Sequence, residues 1–489
     1  MKNLLIAIVG ILFAFSATAQ NKRAPKYEKT ITSKDLRSYL SVLASDSLEG
    51  RETGEPGQKK AAAFIAGKFA EFGLEPGVNV DGEESYFQSY PLNKINYRTA
   101  YLKKGDEVKS NFEDFIYYSR AETTGEEFVD VLFVGDASLE DLQALDLDGR
   151  YVAITNKDLA GWRTLIAGLK ELDAAGVMMF VEAEERYNFI VDRFSSYLAR
   201  PRMALAKGDG AKPETKILIG NPELASWIFD AEYKDLKKAA GEKVARVIFN
   251  ADMLPEEVTS ENVLGFLEGS EKPDEILVIT SHYDHIGVND DGQINNGADD
   301  DGSGTSVVLE LAEAFATAAK KGDRPKRSIL FMTVSGEEKG LLGSKYYTNN
   351  PVYPLENTVT NLNVDMVGRV DAAHEDNPNY VYVIGADKLS QELHDLSEAA
   401  NKRSVNLELD YTYNDENDPN RYYYRSDHYN FAKNDIPIIF YFNGTHADYH
   451  KPTDTIEKIE FDVMTERAKL VFHTAWELAN REERVKLND

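Results

Sequence analysis

The stretch at residues 275–311, EILVITSHYDHIGVNDDGQINNGADDDGSGTSVVLEL, decides which fold the chain adopts. It opens with the apolar, β-branched run 276–280, which predicts a buried strand. Polar residues and three adjacent carboxylates framed by glycines follow, and an apolar helical pattern begins at Val307. An ordinary acidic surface loop is the simple alternative for the Asp- and Gly-rich segment.

The polar part of this stretch carries side chains that bind metal ions. His282, Asp284 and His285 come directly after the predicted strand, and Asp299, Asp300 and Asp301 form the triplet. Carboxylates packed together repel one another, and a folded chain tolerates this mainly where a cation is present. Imidazole and carboxylate together suit zinc and its neighbours.

Three later apolar runs end in the same kind of residue. The run 328–334 is followed by Glu337 and Glu338, and the run 361–364 by Asp365. The run 436–442 is followed by the segment THADYHKPTDT, which contains Tyr449 and His450. Ligand sites in open α/β sheets form at the carboxyl ends of the strands. Four strands are therefore expected to deliver ligands to one edge of a sheet.

These motifs, in this order, resemble peptidase family M28, whose members are di-zinc peptidases and mostly aminopeptidases. The resemblance rests on His-x-Asp, Gly-Ala-Asp-Asp-Asp-Gly-Ser-Gly, Ser-Gly-Glu-Glu, Asn-x-Asp-Met and Tyr-His-x-x-x-Asp, and it covers about residues 255–485. The segment LASDSLEGRETGEPGQKKAAAFIAGKFAEFGLEP is similar to the opening of that family. The resemblance implies an α/β fold, a three-layer sandwich with a mostly parallel central sheet.

The resemblance also implies a centre of two Zn²⁺ ions, with Co²⁺ or Mn²⁺ as possible replacements. Two ions about 3.5–4 Å apart need a shared ligand, and Asp300 aligns with the bridging residue of the family. The expected ligands are His282, Asp300 and Asp365 for one ion, and Asp300, Glu338 and His450 for the other.

Further roles follow from the same resemblance. Glu337 is expected to act as general base toward a water that bridges the ions, because it stands beside the ligand set without belonging to it. Asp284 is expected to orient the imidazole of His282. Tyr449 resembles a tyrosine that stabilises the tetrahedral oxyanion, and a packed aromatic is its alternative. A cis peptide bond is expected between Asp300 and Asp301.

The remaining histidines are expected to be surface or packing residues. His285 is the nearest competitor of His282 for the metal. We prefer His282 because it follows the strand immediately and pairs with Asp284. The expected surface or packing histidines are His285, His374, His394, His428, His446 and His473.

The chain is predicted to consist of four segments. Residues 1–19 have the charge pattern, apolar core and small-residue cleavage site of a signal peptide, so the mature protein is expected to begin at Gln20 and to be periplasmic or secreted. Residues 20–111 and 251–489 are assigned to the peptidase domain. Residues 112–250 are predicted to be a β-rich insert with one helix, at about 164–174. This insert resembles a protease-associated (PA) domain.

Amino-acid composition and the motifs that the sequence lacks argue against several classes of partner and enzyme. The formal net charge of −28 argues against nucleic-acid and anionic-membrane partners. No segment after the signal peptide is apolar enough to remain in a membrane, and the chain has no cysteine. The sequence also lacks H-E-x-x-H and G-x-S-x-G, which argues against single-zinc helix-based proteases and serine hydrolases.

The expected substrate is a peptide, attacked at its N-terminus. The loop acids Asp415, Glu416 and Asp418 outnumber Arg421 and Arg425, the cations that could clamp a terminal carboxylate. A carboxypeptidase of the same fold is the main alternative. A glutaminyl cyclase and a non-catalytic binding ectodomain are weaker alternatives, because the full ligand set is present.

Overall fold

The computed structural model describes residues 23–80, 82–119, 121, 123, 125–136, 138–156, 162–198, 202–206 and 215–488. The predicted signal peptide and Gln20 lie outside these residues. The chain divides into two compact units, Met1–Pro91 with Thr259–Asp489, and Leu92–Val258. Residues 92–111 therefore belong to the second unit rather than to the peptidase part expected from sequence. Within that unit the strand Phe87–Lys104 pairs with Glu107–Ser110 and Arg202–Leu205.

The first unit contains a mixed sheet. Four neighbouring strands run parallel, and antiparallel or short strands flank them. In spatial order, the strands are Glu408–Asp410, Tyr380–Ile384, Ile438–Phe442, Thr358–Val364, Lys272–His282, Arg327–Val334 and the 259–267 part of Lys243–Leu267. Glu75–Pro76 pairs with the last of these, and Val78–Val80 forms a hairpin with Glu83–Ser85.

Helices alternate with these strands along the chain, in keeping with the α/β fold that the resemblance implies. The helices of the first unit are Ala24–Glu28, Ser33–Leu43, Pro56–Phe72, Gly304–Lys320, Leu342–Asn349, Gln391–Arg403, His428–Ala432 and Phe461–Asn480. Short 3-10 turns are at Asp46–Arg51, Leu355–Asn357, Thr412–Asn414, Tyr422–Tyr424 and Ile456–Lys458, and a π-helical turn spans Ala298–Ser303.

Both faces of this sheet are covered by helices, because its central strands are apolar on both sides. Leu277 and Ile279 pack with the helices Gly304–Lys320 and Phe461–Asn480. The alternate residues Ile276 and Val278 pack with Tyr347 and Phe431, which are on helices of the opposite face. Successive residues of a strand point to opposite faces. The first unit is thus built of three layers, helix, sheet and helix.

The second unit has its own apolar cores. Its strands, in spatial order, are the 243–249 part of Lys243–Leu267, Glu127–Gly135, Tyr151–Asn156, Gly176–Val181, Lys216–Gly220 and Ile116–Tyr117. The inner pairs are parallel and the two outer pairs are antiparallel.

The expectation of a single helix in the second unit was wrong. The structure has the expected helix, at Trp162–Glu171, and also Leu139–Leu142, Glu184–Leu198, Pro222–Phe229 and Tyr233–Leu236. Glu184–Leu198 buries Tyr187 and Ile190, which are three residues apart and so share one helical face. Because the rest of that segment is polar, this short apolar stripe was not enough to predict the helix from sequence. Whether the unit is a PA-type domain stays a prediction.

No helix within the described residues combines the length and the apolar content that crossing a bilayer requires.

Candidate metal centre

The parallel strands of the first unit bring the expected site residues to one edge of the sheet. His282 is the last residue of its strand, and Asp365 directly follows Thr358–Val364. Glu337 and Glu338 follow Arg327–Val334 after a tight turn in which Gly336 has φ 75°. His450 lies in the loop after Ile438–Phe442.

The three adjacent aspartates face in different directions. Asp299 accepts from the backbone N–H of Gly368 at 2.7 Å. Asp301 accepts from the backbone N–H groups of Gly304 at 2.8 Å and Met366 at 2.9 Å. The outer two acids therefore join the loop to neighbouring segments, whereas Asp300 is directed toward the imidazoles. The peptide bond between Asp300 and Asp301 is cis, as expected.

Asp300 presents one oxygen to each side of the centre. Its Oδ1 lies 3.3 Å from Nε2 of His282, and its Oδ2 lies 3.1 Å from Nε2 of His450. On the first side, Oδ1 of Asp365 is 3.6 Å from the same His282 nitrogen. On the second side, Oε2 of Glu338 is 3.1 Å from the same His450 nitrogen. The five expected ligands thus form two groups that share one carboxylate.

His285 belongs to the second group, although we expected it at the surface or in packing. The side chain is fully buried, and its Nδ1 lies 2.9 Å from Oε1 of Glu338 and 3.8 Å from Oδ2 of Asp300. His285, Asp300 and Glu338 offer ligand atoms within 4.8 Å of one another, as do His282, Asp300 and Asp365. A second imidazole beside His450 is therefore available to the second group.

The buried atoms of these groups fit a pair of cations. Among the described residues, Oδ2 of Asp300, Oε1 of Glu338 and both ring nitrogens of His285 are buried. Some of them lie within 3.1 Å of an ionisable neighbour, but none is in hydrogen-bonding geometry. Buried polar atoms are normally paired, and an unpaired cluster of them calls for an ion or another explanation. Nitrogen and carboxylate donors are the set that Zn²⁺ takes.

Glu337 lies at the rim of the first group. Its Oε2 is 3.9 Å from Nε2 of His282, and the carboxylate lines the pocket without belonging to either ligand group. Burial, followed by the neighbouring carboxylates of Glu338 and Asp365, raises the pKa of Glu337 well above its ordinary value of 4.5, although His282 opposes the shift. This carboxyl group can hold a proton.

The imidazoles and carboxylates of the second group shift one another's pKa values in opposite directions. Burial acts to lower the pKa of His450, but the carboxylates of Asp300 and Glu338 outweigh it and raise that pKa to about 10. Burial and Asp300 act to raise the pKa of Glu338, but the imidazoles of His285 and His450 outweigh them and lower it to about 2. Positive charge is thus favoured at the point where an ion would lie.

Asp284 contacts His282 mainly through its backbone. Nδ1 of His282 lies 3.1 Å from the carbonyl oxygen of Asp284 and 3.7 Å from the carboxylate Oδ1. The carboxylate instead accepts from the hydroxyl of Thr53 at 2.7 Å and from the backbone N–H of Glu337 at 3.2 Å. Asp284 therefore connects the His282 loop with the Glu337 turn.

A pocket opens beside Glu337. The ring of Tyr449 stacks on that of His450, with centroids 3.9 Å apart, and also lines the pocket. Arg425 is the one arginine or lysine among the pocket-lining residues, and its guanidinium lies 4.7 Å from the ring centroid of Tyr422. The lining residues are His282, Asp300, Glu337, Asp365, Met366, Tyr422, Arg425, Phe440, Phe442, Thr445 and Tyr449.

Sequence reasoning missed three kinds of contributor to this centre. His285 was passed over in favour of His282. Asp454 stands in the quoted Tyr-His-x-x-x-Asp motif but was given no role, and it accepts from the backbone N–H groups of Asp299 and Asp300, at 2.9 and 3.3 Å. Thr53 was also missed, because no local pattern connects it with Asp284.

The part of the chain that carries these residues is similar to known proteins. Residues 262–475 match the family model described as peptidase family M28. A segment of 127 residues is 40% identical to a probable zinc metalloprotease of Pyrenophora tritici-repentis and covers 24% of each chain. A segment of 236 residues is 28% identical to the aminopeptidase YwaD of Bacillus subtilis and covers 47% of each. The chain thus spans less than half the length of these two relatives.

The fold is similar to that of a solved structure over nearly the whole chain. An aminopeptidase from Aneurinibacillus sp. strain AM-1 superposes with a TM-score of 0.57, covering 94% of this chain and 97% of that one. At 19% sequence identity, this likeness concerns the fold alone.

Proposed function

We propose, from the premise that residues 262–475 form a domain of peptidase family M28, that the protein is a di-zinc aminopeptidase that releases N-terminal residues from peptides. The observation that carries the proposal is Asp300, whose two carboxylate oxygens face two separate groups of ligand atoms. A carboxylate in that position can be shared by two ions, as a co-catalytic metal pair requires.

The proposed ligands of one ion are His282, Asp300 and Asp365, and those of the other are Asp300, Glu338 and His450. Zinc pairs of this kind activate water as a nucleophile and polarise the peptide carbonyl. Asp301 and Asp454 hold the Asp300 loop through backbone bonds, so that the shared carboxylate is already aimed before substrate binds.

Glu337 is proposed as the general base and acid. Its position at the rim, outside both ligand groups, leaves both carboxylate oxygens able to take a proton from water and return it to the leaving amine. The backbone N–H of Glu337 donates to Asp284 at 3.2 Å, which fixes the turn that carries it. Tyr449 lines the same pocket, and its hydroxyl is proposed to donate to the oxyanion.

The pocket favours the N-terminal end of a peptide. A protonated amine needs negative charge beside the reacting carbonyl, and the carboxylates of Glu337 and Asp365 line the pocket there. Met366, Phe440 and Phe442 form an apolar wall that suits the side chain of an uncharged first residue.

Carboxypeptidase action is the second candidate, and Arg425 is the observation that favours it. A terminal carboxylate is commonly clamped by arginine, and this guanidinium is in the pocket lining. Arg425 stands alone against the three acidic residues of that lining, which is why the N-terminal reaction is preferred.

Metal analysis together with a matched peptide panel tests the proposal. We expect two zinc ions per chain, cleavage of peptides with a free amine, loss of cleavage on N-acetylation, and little effect of C-terminal amidation. The Asp300→Ala variant should lose tight binding of both ions, because only a shared ligand contacts both.

Two results would contradict this assignment. An Asp300→Ala protein that still holds two equivalents of zinc would show that Asp300 is not shared. Faster cleavage of an N-acetylated peptide with a free carboxylate than of its unblocked counterpart would favour the carboxypeptidase, with Arg425 as the clamp.

Export to the periplasm or medium is part of the proposal, supported by the signal-like residues 1–19. The second unit is proposed to be a PA-type module on the basis of its position in the chain and the segment LDLDGRYVAI. Amino-terminal sequencing of the exported protein should begin at Gln20.

A further inference from the structure

The segment at residues 50–53, here called the 50–53 loop, is buried against the metal centre although it precedes the matched family segment by about two hundred residues. The side chain of Arg51 is 1% exposed, and that of Thr53 is fully buried. Neither residue lies in a motif that the proposed function uses. Their contacts are all with the segments that carry the proposed metal ligands or with the helix that precedes the loop.

Arg51 bonds to both ligand-bearing segments at once. Its Nε donates to the carbonyl of Tyr283, the residue directly after His282, at 2.8 Å. Its Nη1 donates to the carbonyl of Asn296 at 2.6 Å, and its Nη2 donates to that of Gly297 at 2.9 Å. These carbonyls belong to the segment leading into the Asp300 loop. One planar, rigid cation thus sets the spacing between the chain segments of His282 and Asp300.

The backbone of the 50–53 loop reinforces this connection. The N–H of His285 donates to the carbonyl of Arg51 at 3.2 Å, and the N–H of Gly287 donates to that of Gly50 at 3.0 Å. Gly50 has φ 68°, and a Cβ there would lie 2.6 Å or less from the carbonyl oxygens of Gly287 and Asn295. Such close backbone approach is open to glycine and to few other residues.

Arg51 also brings a buried positive charge to a region crowded with acids. Burial is the largest influence and lowers the pKa of the guanidinium, whereas Asp300, Asp284 and Asp301 oppose that shift. The guanidinium bonds to carbonyls rather than to these carboxylates. It therefore offsets their repulsion without occupying the oxygens that the metal ions need.

Thr53 acts on the same centre through Asp284. Its hydroxyl donates to Oδ2 of Asp284 at 2.7 Å, and both groups are fully buried. The other oxygen of Asp284 accepts from the N–H of Glu337 and lies 3.7 Å from the ring of His282. Loss of the hydroxyl would leave a buried carboxylate oxygen unpaired beside a ligand and the proposed base.

We propose that Arg51 and Thr53 are positioning residues of the metal centre, which set the geometry of His282, Asp300 and Glu337 without contacting substrate. The proposal rests on the two-metal site of the proposed function. It makes the N-terminal part of the chain a component of the catalytic apparatus, beyond the segment that the family model covers.

The test compares Thr53→Val with Thr53→Ser in the full-length protein. Valine keeps the shape and removes the donor, whereas serine keeps the donor. We expect Thr53→Val to weaken zinc binding about tenfold and to lower kcat with little change in KM, as loss of a group that orients a ligand typically does. Thr53→Ser should stay within threefold of wild type. Zinc affinity is measured by competition with a chromophoric chelator, and kcat and KM with the peptide panel.

Arg51→Lys extends the test, because lysine keeps the charge but cannot reach several carbonyls in one plane. We expect a larger loss of zinc affinity than in Thr53→Val, and should this protein not fold, the Thr53 pair decides the matter. Glu49→Gln is the matched control, since Glu49 directly precedes the 50–53 loop but is exposed and pairs only weakly with Lys60, at 3.8 Å.

Three outcomes would overturn the proposal. One is wild-type zinc affinity and kcat in Thr53→Val, even if its Tm falls, because a purely structural role predicts that pattern. Another is an equal loss in Thr53→Ser. The third is a wild-type protein that binds no zinc, which removes the proposed function as well. If wild type binds two zinc ions but cleaves no peptide, only the proposed function fails, and the zinc affinities still decide the role of Thr53.

Discussion

Three identical side chains in a row, Asp299, Asp300 and Asp301, have three different surroundings. The outer two accept backbone N–H bonds, and only the middle one is aimed at the imidazoles of His282 and His450. The sequence alone could not assign these roles, because adjacent residues of one type carry the same local signal. Family resemblance selected Asp300, and the hydrogen bonds of its neighbours give a physical reason for that choice.

Glu337→Gln is expected to keep the fold and both zinc ions but to lose turnover by about 10²–10⁴-fold. Glutamine preserves the size of the side chain and cannot accept a proton from water. Zinc content and steady-state kinetics measured on the same sample check this. Turnover within threefold of wild type would remove Glu337 from the mechanism.

His285 and His450 offer two imidazoles to the same pair of carboxylates, and their variants should differ. His450→Ala is expected to release one zinc ion, because its Nε2 lies 3.1 Å from both Asp300 and Glu338. His285→Ala should weaken the same ion less, because its Nδ1 is 3.8 Å from Asp300. Titration with a chelator measures both. A greater loss in His285→Ala would make His285 the ligand and His450 its neighbour.

At the scale of elements, the parallel strands could be predicted from apolar runs, and the candidate site was expected at the carboxyl ends of these strands. Apolar runs followed by acids or histidines are local patterns. The structure accordingly places His282, Glu338, Asp365 and His450 at or after the ends of the strands expected from sequence. The partners of the helices were not predictable in the same way. Glu310, in the middle of Gly304–Lys320, is buried and accepts the N–H of Thr32 at 2.8 Å, a contact that joins residues 278 positions apart.

Glu310 should make stability depend on pH. Burial, with help from Asp35 and Glu313, raises its pKa from 4.5 to about 8 in the folded chain. The folded state therefore holds a proton that the unfolded state has lost between these two values, so this group lowers stability as pH rises through that window. Glu310→Gln should remove the effect, which is on the order of a few kcal/mol.

Urea unfolding of wild type and Glu310→Gln near pH 5.5 and 8.5 measures this. The stability of wild type relative to the variant should be lower at the higher pH. Contributions of the histidine ligands are common to both proteins and cancel in the comparison. An equal difference at the two pH values would show that Glu310 is ionised in the folded state.

At the scale of the whole molecule, each of the two units has apolar cores made of its own residues. All five proposed ligands, and also Arg51 and Thr53, lie in the unit formed by Met1–Pro91 and Thr259–Asp489. The existence of an inserted unit could be predicted, because residues 112–250 have the pattern of a β-rich segment that differs from the rest of the chain. Its limits at Leu92 and Val258 could not, because strands of similar composition continue across both boundaries.

We therefore expect two thermal transitions, of which zinc raises only one. An ion that binds the folded form of one unit stabilises that unit by about 2.7 kcal/mol at a free concentration one hundred times its Kd. Calorimetry with and without zinc measures both transitions, and Asp300→Ala is the control whose transitions should not respond. An equal shift of both transitions would mean that the units unfold together.

The hydrogen bond between Arg51 and Tyr283 joins residues that are 232 positions apart. It therefore constrains the order in which the parts of the chain can assemble during synthesis. A chain made from its N-terminus at about 5–20 residues per second presents the 50–53 loop long before the segments it must join. The apolar cores of the second unit are made only of residues from Leu92–Val258, so this unit can form in the interval. Metal capture then becomes a late event of folding. In refolding experiments, zinc uptake should lag behind the recovery of secondary structure, and it should be slowest in Arg51→Lys.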